Sequence, residues 1–337
     1  MAVPRRGWLD ATMTRVVVFT TGGTIASRYD ADVDGFVPVV SGDDLVAAVP
    51  GVQVAAEVEV VELANVSSTF LTPTLVFEWC RTVGKRLADP EVCGVVVTHG
   101  TDTLEESAYL FDLVLDTHKP IVFTGAMRTS SELISDGPRN ILTSVRVAAD
   151  PEAAGLGVLV VLNEEIHAAR DVTKTHAEAL DAFQSPNLGP LGRISRGWGE
   201  DHIRLYRAPR CREHITTDRI EPAVAYVKTV MGTDSLMIDA AVTAGARGMV
   251  IEAFGGGEVT PFMADGIDRA RRAGVEVAVC SRALRGRPLD LYAEIGEGKW
   301  LRDHGVHFSD SLTGPKTRIK LMLALGAADP ADVGQYF

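Results

Sequence analysis

In VCGVVVTHGTDTLEE (Val92 to Glu106), a β-branched apolar run passes without a break into His99-Gly100-Thr101-Asp102-Thr103 and then into acidic residues. Such a run, closed by small and polar residues, reads as a strand buried on both faces, the form strands take in parallel sheets covered by helices. The residues after it read as a helix start. Thr and Asp favour caps, and Glu105 and Glu106 suit a first turn, where the helix dipole is positive.

The same grammar recurs along the chain. Apolar, β-branched runs at Arg15 to Thr20, Val58 to Leu63, Pro120 to Thr124 and Gly157 to Leu162 alternate with helix-length segments at Thr72 to Ala88, Thr103 to Leu115 and Asn140 to Ala149. This alternation predicts an α/β domain built on a mostly parallel sheet. After Gly189 the pattern weakens, with only Ile203 to Tyr206 strand-like, as in a terminal hairpin followed by a linker. It resumes with strands at Ala223 to Val230, Gly248 to Ala253 and Glu276 to Cys280 and helices at Ser235 to Ala244, Pro261 to Ala273 and Pro315 to Leu325. The expected organisation is an N-terminal catalytic domain over 1–206, a linker over 207–220 and a smaller α/β domain over 221–337.

Composition narrows the partners. The 337 residues fit about two domains, and 46% hydrophobic with 23% charged residues is ordinary for a globular protein. A net charge of −12 speaks against a nucleic-acid or anionic-membrane surface and for a small-molecule substrate. Cys80, Cys93, Cys211 and Cys280 form no CxxC pair, so neither zinc site nor disulfide framework is expected. Met1 to Thr14 carries Arg5 and Arg6 but no signal-peptide core, and no apolar run reaches membrane-spanning length, so a cytoplasmic location is expected.

Ligands of open parallel sheets collect at the carboxyl ends of the strands. Two such ends offer glycine beside threonine: Thr20-Thr21-Gly22-Gly23-Thr24-Ile25-Ala26 and His99-Gly100-Thr101-Asp102-Thr103. Tight turns and helix caps account for much of either motif alone, and no GKS or GKT follows to make a phosphate loop. Their repetition across one sheet is what points to a shared cleft. A third element, Arg170-Asp171-Val172-Thr173-Lys174-Thr175, lies in a polar loop where a lone lysine is ordinarily just solvated. Chemistry has a use for this one, because a threonine hydroxyl attacks only with help from a base or a cation that eases loss of its proton. A lysine near Thr101 and Asp102 supplies that help, with the carboxylate orienting the ammonium. His99, His167 and His176 show no metal-ligand spacing and are read as structural.

Five segments in order, TTGGTIAS (Thr20 to Ser27), VVVTHGTDTLEESAY (Val95 to Tyr109), KPIVFTGAMR (Lys119 to Arg128), SDGPRN (Ser135 to Asn140) and ARDVTKTHA (Ala169 to Ala177), resemble the bacterial-type L-asparaginases. The similarity runs from about Arg15 to the C-terminus and is densest before Leu191. By position, the resemblance implies Thr24 as primary nucleophile and Thr101, Asp102 and Lys174 as a second triad, with Asp102 also engaging the substrate α-amino group. It implies Ser68, with Thr69 beside it, for the α-carboxylate, and backbone contacts at Gly100 and Ala126. It further implies a flavodoxin-like N-terminal domain, no metal or organic cofactor, and a homotetramer built from dimers with sites between subunits.

Two positions depart from the family pattern. The lid usually offers a tyrosine, where Asp34-Gly35-Phe36-Val37 has phenylalanine, leaving Tyr29 as a substitute; and Gly232 stands where some members bring an asparagine from a neighbouring subunit. The expected reaction is hydrolysis of L-asparagine to L-aspartate and ammonia, extending to L-glutamine. Two alternatives remain open: a catalytically silent amino-acid sensor on the same fold, and an asparaginase-like amidotransferase subunit, against which the acidic balance and lack of a long extra N-terminal domain count.

Overall fold

A computed structural model describes residues 15–196, 201–209, 212–327 and 330–337; the Met1 to Thr14 stretch and Cys211 lie outside these. The first domain contains strands β1 (Arg15–Gly22), β2 (Ser27–Asp30), β3 (Gly35–Pro38), β4 (Glu57–Val66), β5 (Val92–Thr98), β6 (Ile121–Thr124), β7 (Val158–Leu162), β8 (Glu165–Ala168), β9 (Thr173–Lys174), β10 (Phe183–Gln184), β11 (Gly192–Arg196) and β12 (Asp201–Leu205). Its helices are α1 (Gly42–Ala47), α2 (Val52–Ala55), α3 (Pro73–Leu87), α4 (Leu104–Val114) and α5 (Gly137–Ala149).

The large sheet runs β12-β11-β8-β7-β6-β5-β1-β4. The strands β4, β1, β5, β6 and β7 are mutually parallel, whereas β8, β11 and β12 attach antiparallel. Within the parallel part the chain begins at β1, places β4 on one side and proceeds through β5, β6 and β7 on the other. That is the flavodoxin-like order, and its direction reverses between β1 and β5, where a crevice opens at the carboxyl ends. Register makes those ends coincide, since Thr20 pairs with Thr98 and Thr98 with Thr124.

Alternation along each strand decides which helices cover which face. Val17 and Phe19 join the core beneath α3 and α4, while Val16 and Val18 join the core beneath α5, α1 and α2. Each fully buried Val or Phe contributes roughly 1.5–3 kcal/mol. The strand β4 departs from the expected burial on both faces: it is the sheet edge, half-exposed along its length. The hairpin β2–β3, absent from the periodicity reading, has no apolar alternation and stands on the surface, with Tyr29 facing Phe36 edge-on at 5.8 Å.

The second domain has β13 (Val224–Lys228), β14 (Gly248–Ala253), β15 (Glu276–Ser281) and β16 (His307–Phe308) in one parallel sheet in that order, with helices α6 (Leu236–Thr243), α7 (Pro261–Arg272), α8 (Gly298–Asp303) and α9 (Gly314–Ala327). One face is closed by α6 and α7. The other packs on α9, whose Ile319, Leu321, Met322, Leu323 and Ala324 belong to the same core as Leu104, Ala108 and Phe111 of α4. The segment leading into β13 is tied down as well: Ile215 is buried and its N–H donates to the Leu113 carbonyl at 2.8 Å. Cys80 and Cys280 are buried, and burial pushes the Cys280 thiol up to about 12. Among the described residues, no helix is long and apolar enough to cross a membrane.

A core shared in this way unfolds as one unit. Leu323→Ala removes a fully buried side chain and is expected to cost about 2–5 kcal/mol. Calorimetry should show a single transition moved to lower temperature; two separate peaks, only one of them displaced, would contradict a common core.

Candidate active site

Backbone approach builds this site before any side chain does. Gly22 ends β1 and Gly23 follows it, with φ of 98° and 82°, a region L-residues rarely adopt. A Cβ on Gly23 would lie 2.4 Å from the Gly100 Cα, so the loops after β1 and β5 are in direct contact. Gly100 in turn lies against Ser68: a Cβ there would fall 2.6 Å from the Ser68 Oγ. The loop after β6 closes the row, since a Cβ on Gly125 would meet the Thr101 methyl at 3.2 Å.

Lys174 completes the cluster from β9. Its Nζ donates to Thr101 Oγ1 at 2.9 Å and to Asp102 Oδ1 at 2.8 Å. Thr101 is buried, Lys174 is mostly covered and the Asp102 side chain is 58% exposed. An ammonium bonded to the hydroxyl oxygen lowers the cost of removing the hydroxyl proton, and the carboxylate keeps that ammonium oriented. Thr24 begins a short 3₁₀ turn (Thr24–Ala26) and lines a cavity of about 340 Å³ together with Gly23, Ser27, Phe36, Ser67 and Glu132, among others. Thr101 and Lys174 stand next to this cavity through the Gly23–Gly100 contact rather than in its wall.

The other sequence candidates are placed as follows. Ser68 is buried beneath Gly100, its carbonyl accepting from Thr103 Oγ1 at 3.1 Å, and it is the adjacent Ser67 that lines the cavity. Thr69 is exposed, with its hydroxyl 3.0 Å from that of Ser67. Ala126 turns its methyl into the core below α5, which leaves its backbone in the loop after β6. Tyr29 is not part of the cavity wall; its hydroxyl donates to Asp34 Oδ1 at 2.6 Å across the hairpin, and Phe36 faces the cavity instead.

Composition and periodicity gave no role to the residues that hold the loop after β6. Asp136 accepts from the Met127 and Arg128 N–H groups at 3.0 and 2.9 Å, and Asn140 Nδ2 donates to the Gly125 carbonyl at 3.0 Å. Glu132 accepts from the Thr129 N–H at 2.6 Å. Both anchors come from the SDGPRN segment, Asp136 just before α5 and Asn140 in its first turn, and together they position Gly125 to Arg128.

His99 sits under the Gly100 carbonyl, to which its Nδ1–H donates at 2.8 Å, and burial pulls its pKa down to about 4. It is therefore neutral at physiological pH. With the unfolded value near 6.5, the unfolded chain takes up this proton first, so stability is lost as pH falls from about 6.5 towards 4, by about 3 kcal/mol in all. Thermal midpoints of wild type and His99→Asn, compared at matched pH, should show the wild type losing ground across that window; parallel curves would mean His99 does not titrate differently on folding.

Comparison with known proteins agrees with this architecture. Residues 15–210 match the family model "Asparaginase, N-terminal" and residues 223–337 the model "Glutaminase/Asparaginase C-terminal domain". L-asparaginase 2 of Escherichia coli (strain K12) is 34% identical, covering 96% of this chain and 93% of its own. L-asparaginase 2 of Bacillus subtilis (strain 168) is also 34% identical, over 96% of this chain and 86% of that one. The crystal structure of a probable cytoplasmic L-asparaginase from Campylobacter jejuni superposes with a TM-score of 0.85 at 29% identity, covering 96% of this chain and 98% of that one. Matched in both domains and over nearly its whole length, the chain belongs to the asparaginase family of hydrolases.

Proposed function

We propose that this protein hydrolyses the side-chain amide of L-asparagine to L-aspartate and ammonia, extending to L-glutamine, with Thr24 as nucleophile. The observation that carries the reading is the Lys174 ammonium shared between Thr101 Oγ1 and Asp102 Oδ1, one loop away from the cavity that Thr24 lines. The cavity volume of about 340 Å³ suits a small amino acid.

In the first half-reaction the Thr24 Oγ bonds to the amide carbon, its proton passes to the departing nitrogen, and ammonia leaves behind a threonine ester. Water then adds to the ester, and its cleavage returns the Thr24 hydroxyl and frees aspartate. Lys174 eases removal of the Thr101 proton, so that Thr101 relays protons during these steps. Asp102 also receives the substrate α-amino group, Ser68 and Thr69 receive the α-carboxylate, and the backbone at Gly100 and Ala126 contacts the substrate. Nothing in this sequence of steps calls on a metal or an organic cofactor.

The protein is read as a cytoplasmic enzyme, in line with the name of the Campylobacter jejuni neighbour, although a relative in Haemophilus influenzae is named a probable periplasmic L-asparaginase. It is also read as a homotetramer built from dimers, with sites between subunits. Exposed Met231 and Leu236 in the second domain are suited to subunit contact.

Ammonia release from L-asparagine by the purified chain tests the reading. Thr24→Ala and Thr101→Val should each remove most turnover with the fold intact, because each deletes a small hydroxyl at a loop. Lys174→Met should lower kcat by about a hundredfold or more. Substrate binding without ammonia release by the wild type would instead make the chain a sensor, and near-normal turnover in Lys174→Met would end the role given to that lysine.

A further inference from the structure

Lys316 stands on α9, in the second domain, and is fully buried. Its Nζ donates to the backbone carbonyl oxygens of Ala169 at 2.7 Å, of Arg170 at 3.1 Å, and of Val172. Three acceptors match the three hydrogens of an ammonium, whereas a neutral amine offers two. Withdrawing that charge from water is unfavourable, and burial pulls the Lys316 pKa down to about 8. A methionine would fill similar space without carrying a charge inside, so packing alone does not call for lysine here.

What the ammonium holds is the turn between β8 and β9. Ala169 to Val172 lies between strands; the Ala169 N–H donates to the Val158 carbonyl at 2.9 Å and the Asp171 and Val172 N–H groups to the Ala168 carbonyl at 3.0 and 3.1 Å, while the carbonyls of Ala169, Arg170 and Val172 turn to Lys316. Two residues beyond Val172 comes Lys174, on a strand of only two residues. On its other side the Lys316 ammonium lies 5.9 Å from the centre of the Tyr109 ring, on α4, the helix that Thr101 and Asp102 precede. One buried cation therefore contacts both segments that must meet for Lys174 to reach Thr101. A second tie from the same domain runs alongside, since Arg170 donates to Asp310 Oδ2 at 3.0 Å and to Ser311 Oγ at 3.4 Å.

We infer that Lys316 is a positioning residue of the active site: by fixing the Ala169–Val172 turn against α4, it sets the place of the Lys174 ammonium between Thr101 and Asp102. The inference rests on the role proposed above for Lys174. It makes the second domain responsible for the geometry of a site whose proposed reacting groups all come from the first.

A double-mutant cycle on the full-length chain tests it, with kcat, KM for L-asparagine and thermal midpoint measured for Lys316→Met, Lys174→Met and both together. Since misplacement of a catalytic group by about 1 Å can lower a rate about a hundredfold, Lys316→Met should lower kcat by about ten- to a hundredfold with KM changed by less than about threefold. In the Lys174→Met background the same substitution should leave the residual kcat unchanged. Equal fractional losses in both backgrounds, or a lower midpoint with kcat of the folded protein intact, would assign Lys316 to stability alone and overturn the inference. If Lys316→Met does not fold, Asp310→Ala releases the same turn from its partly exposed side; a few-fold fall in kcat that vanishes in the Lys174→Met background supports positioning, and an unchanged kcat refutes it. Full turnover in Lys174→Met alone would instead defeat the catalytic reading itself, a result separable from the others because that variant leaves Lys316 in place.

Discussion

Between the loop that follows β1 and the loop that follows β5, two backbones touch at Gly23 and Gly100 with no room for a methyl group on the first. Parallel pairing of β1 with β5 brings the loops side by side, but only the missing side chains let them close to this distance. The positive φ of Gly23 serves the same end by swinging the following residue, Thr24, towards the cavity rather than along the strand. Thr101, one residue past Gly100, is thereby brought to the neighbouring loop. The arrangement of hydroxyls, and with it the proposed chemistry, depends on this steric condition more than on any single hydrogen bond.

Where the chain's local preferences and its tertiary packing agree, the elements were readable residue by residue. Val92–Thr98 and Gly248–Ala253 are observed with the bounds their β-branched runs imply. Disagreement arises where long-range contacts decide. The strand β4 extends beyond its apolar stretch to Glu57 and Val66, because as an edge it pairs with β1 alone and tolerates carboxylates on both faces, Glu59 reaching Arg86 on the α3 side and Glu62 the Gly42 N–H on the α1 side. The hairpin β2–β3 is anchored by the Tyr29 N–H on Ser131 Oγ and by Ser130 Oγ on the Ser27 carbonyl, about a hundred residues away in sequence, which no local window contains.

The candidate site shows the same division. Glycine and threonine at strand ends carry a signal of their own, since the conformation they permit is written in their chemistry. Lys174 carries none: in its polar loop it resembles any solvated lysine, and only resemblance and then geometry set it against Thr101 and Asp102. Asp136 and Asn140 stand within a segment the sequence offered only by resemblance and as a helix start, and that they hold the Gly125–Arg128 backbone depends on where α5 packs. Phe36 entered as a departure from the usual tyrosine and proves to face the cavity, while the Tyr29 hydroxyl is occupied within its own hairpin.

The helix α9 lies between the smaller sheet and α4, with apolar residues joining the core on both sides. A fragment severed in the segment after β12 would thus keep every proposed reacting group and yet be left with a bare oily flank along α4 where α9 had lain. The two halves of this chain differ in their duties but are not separable parts, and neither is a module to be transplanted without the other.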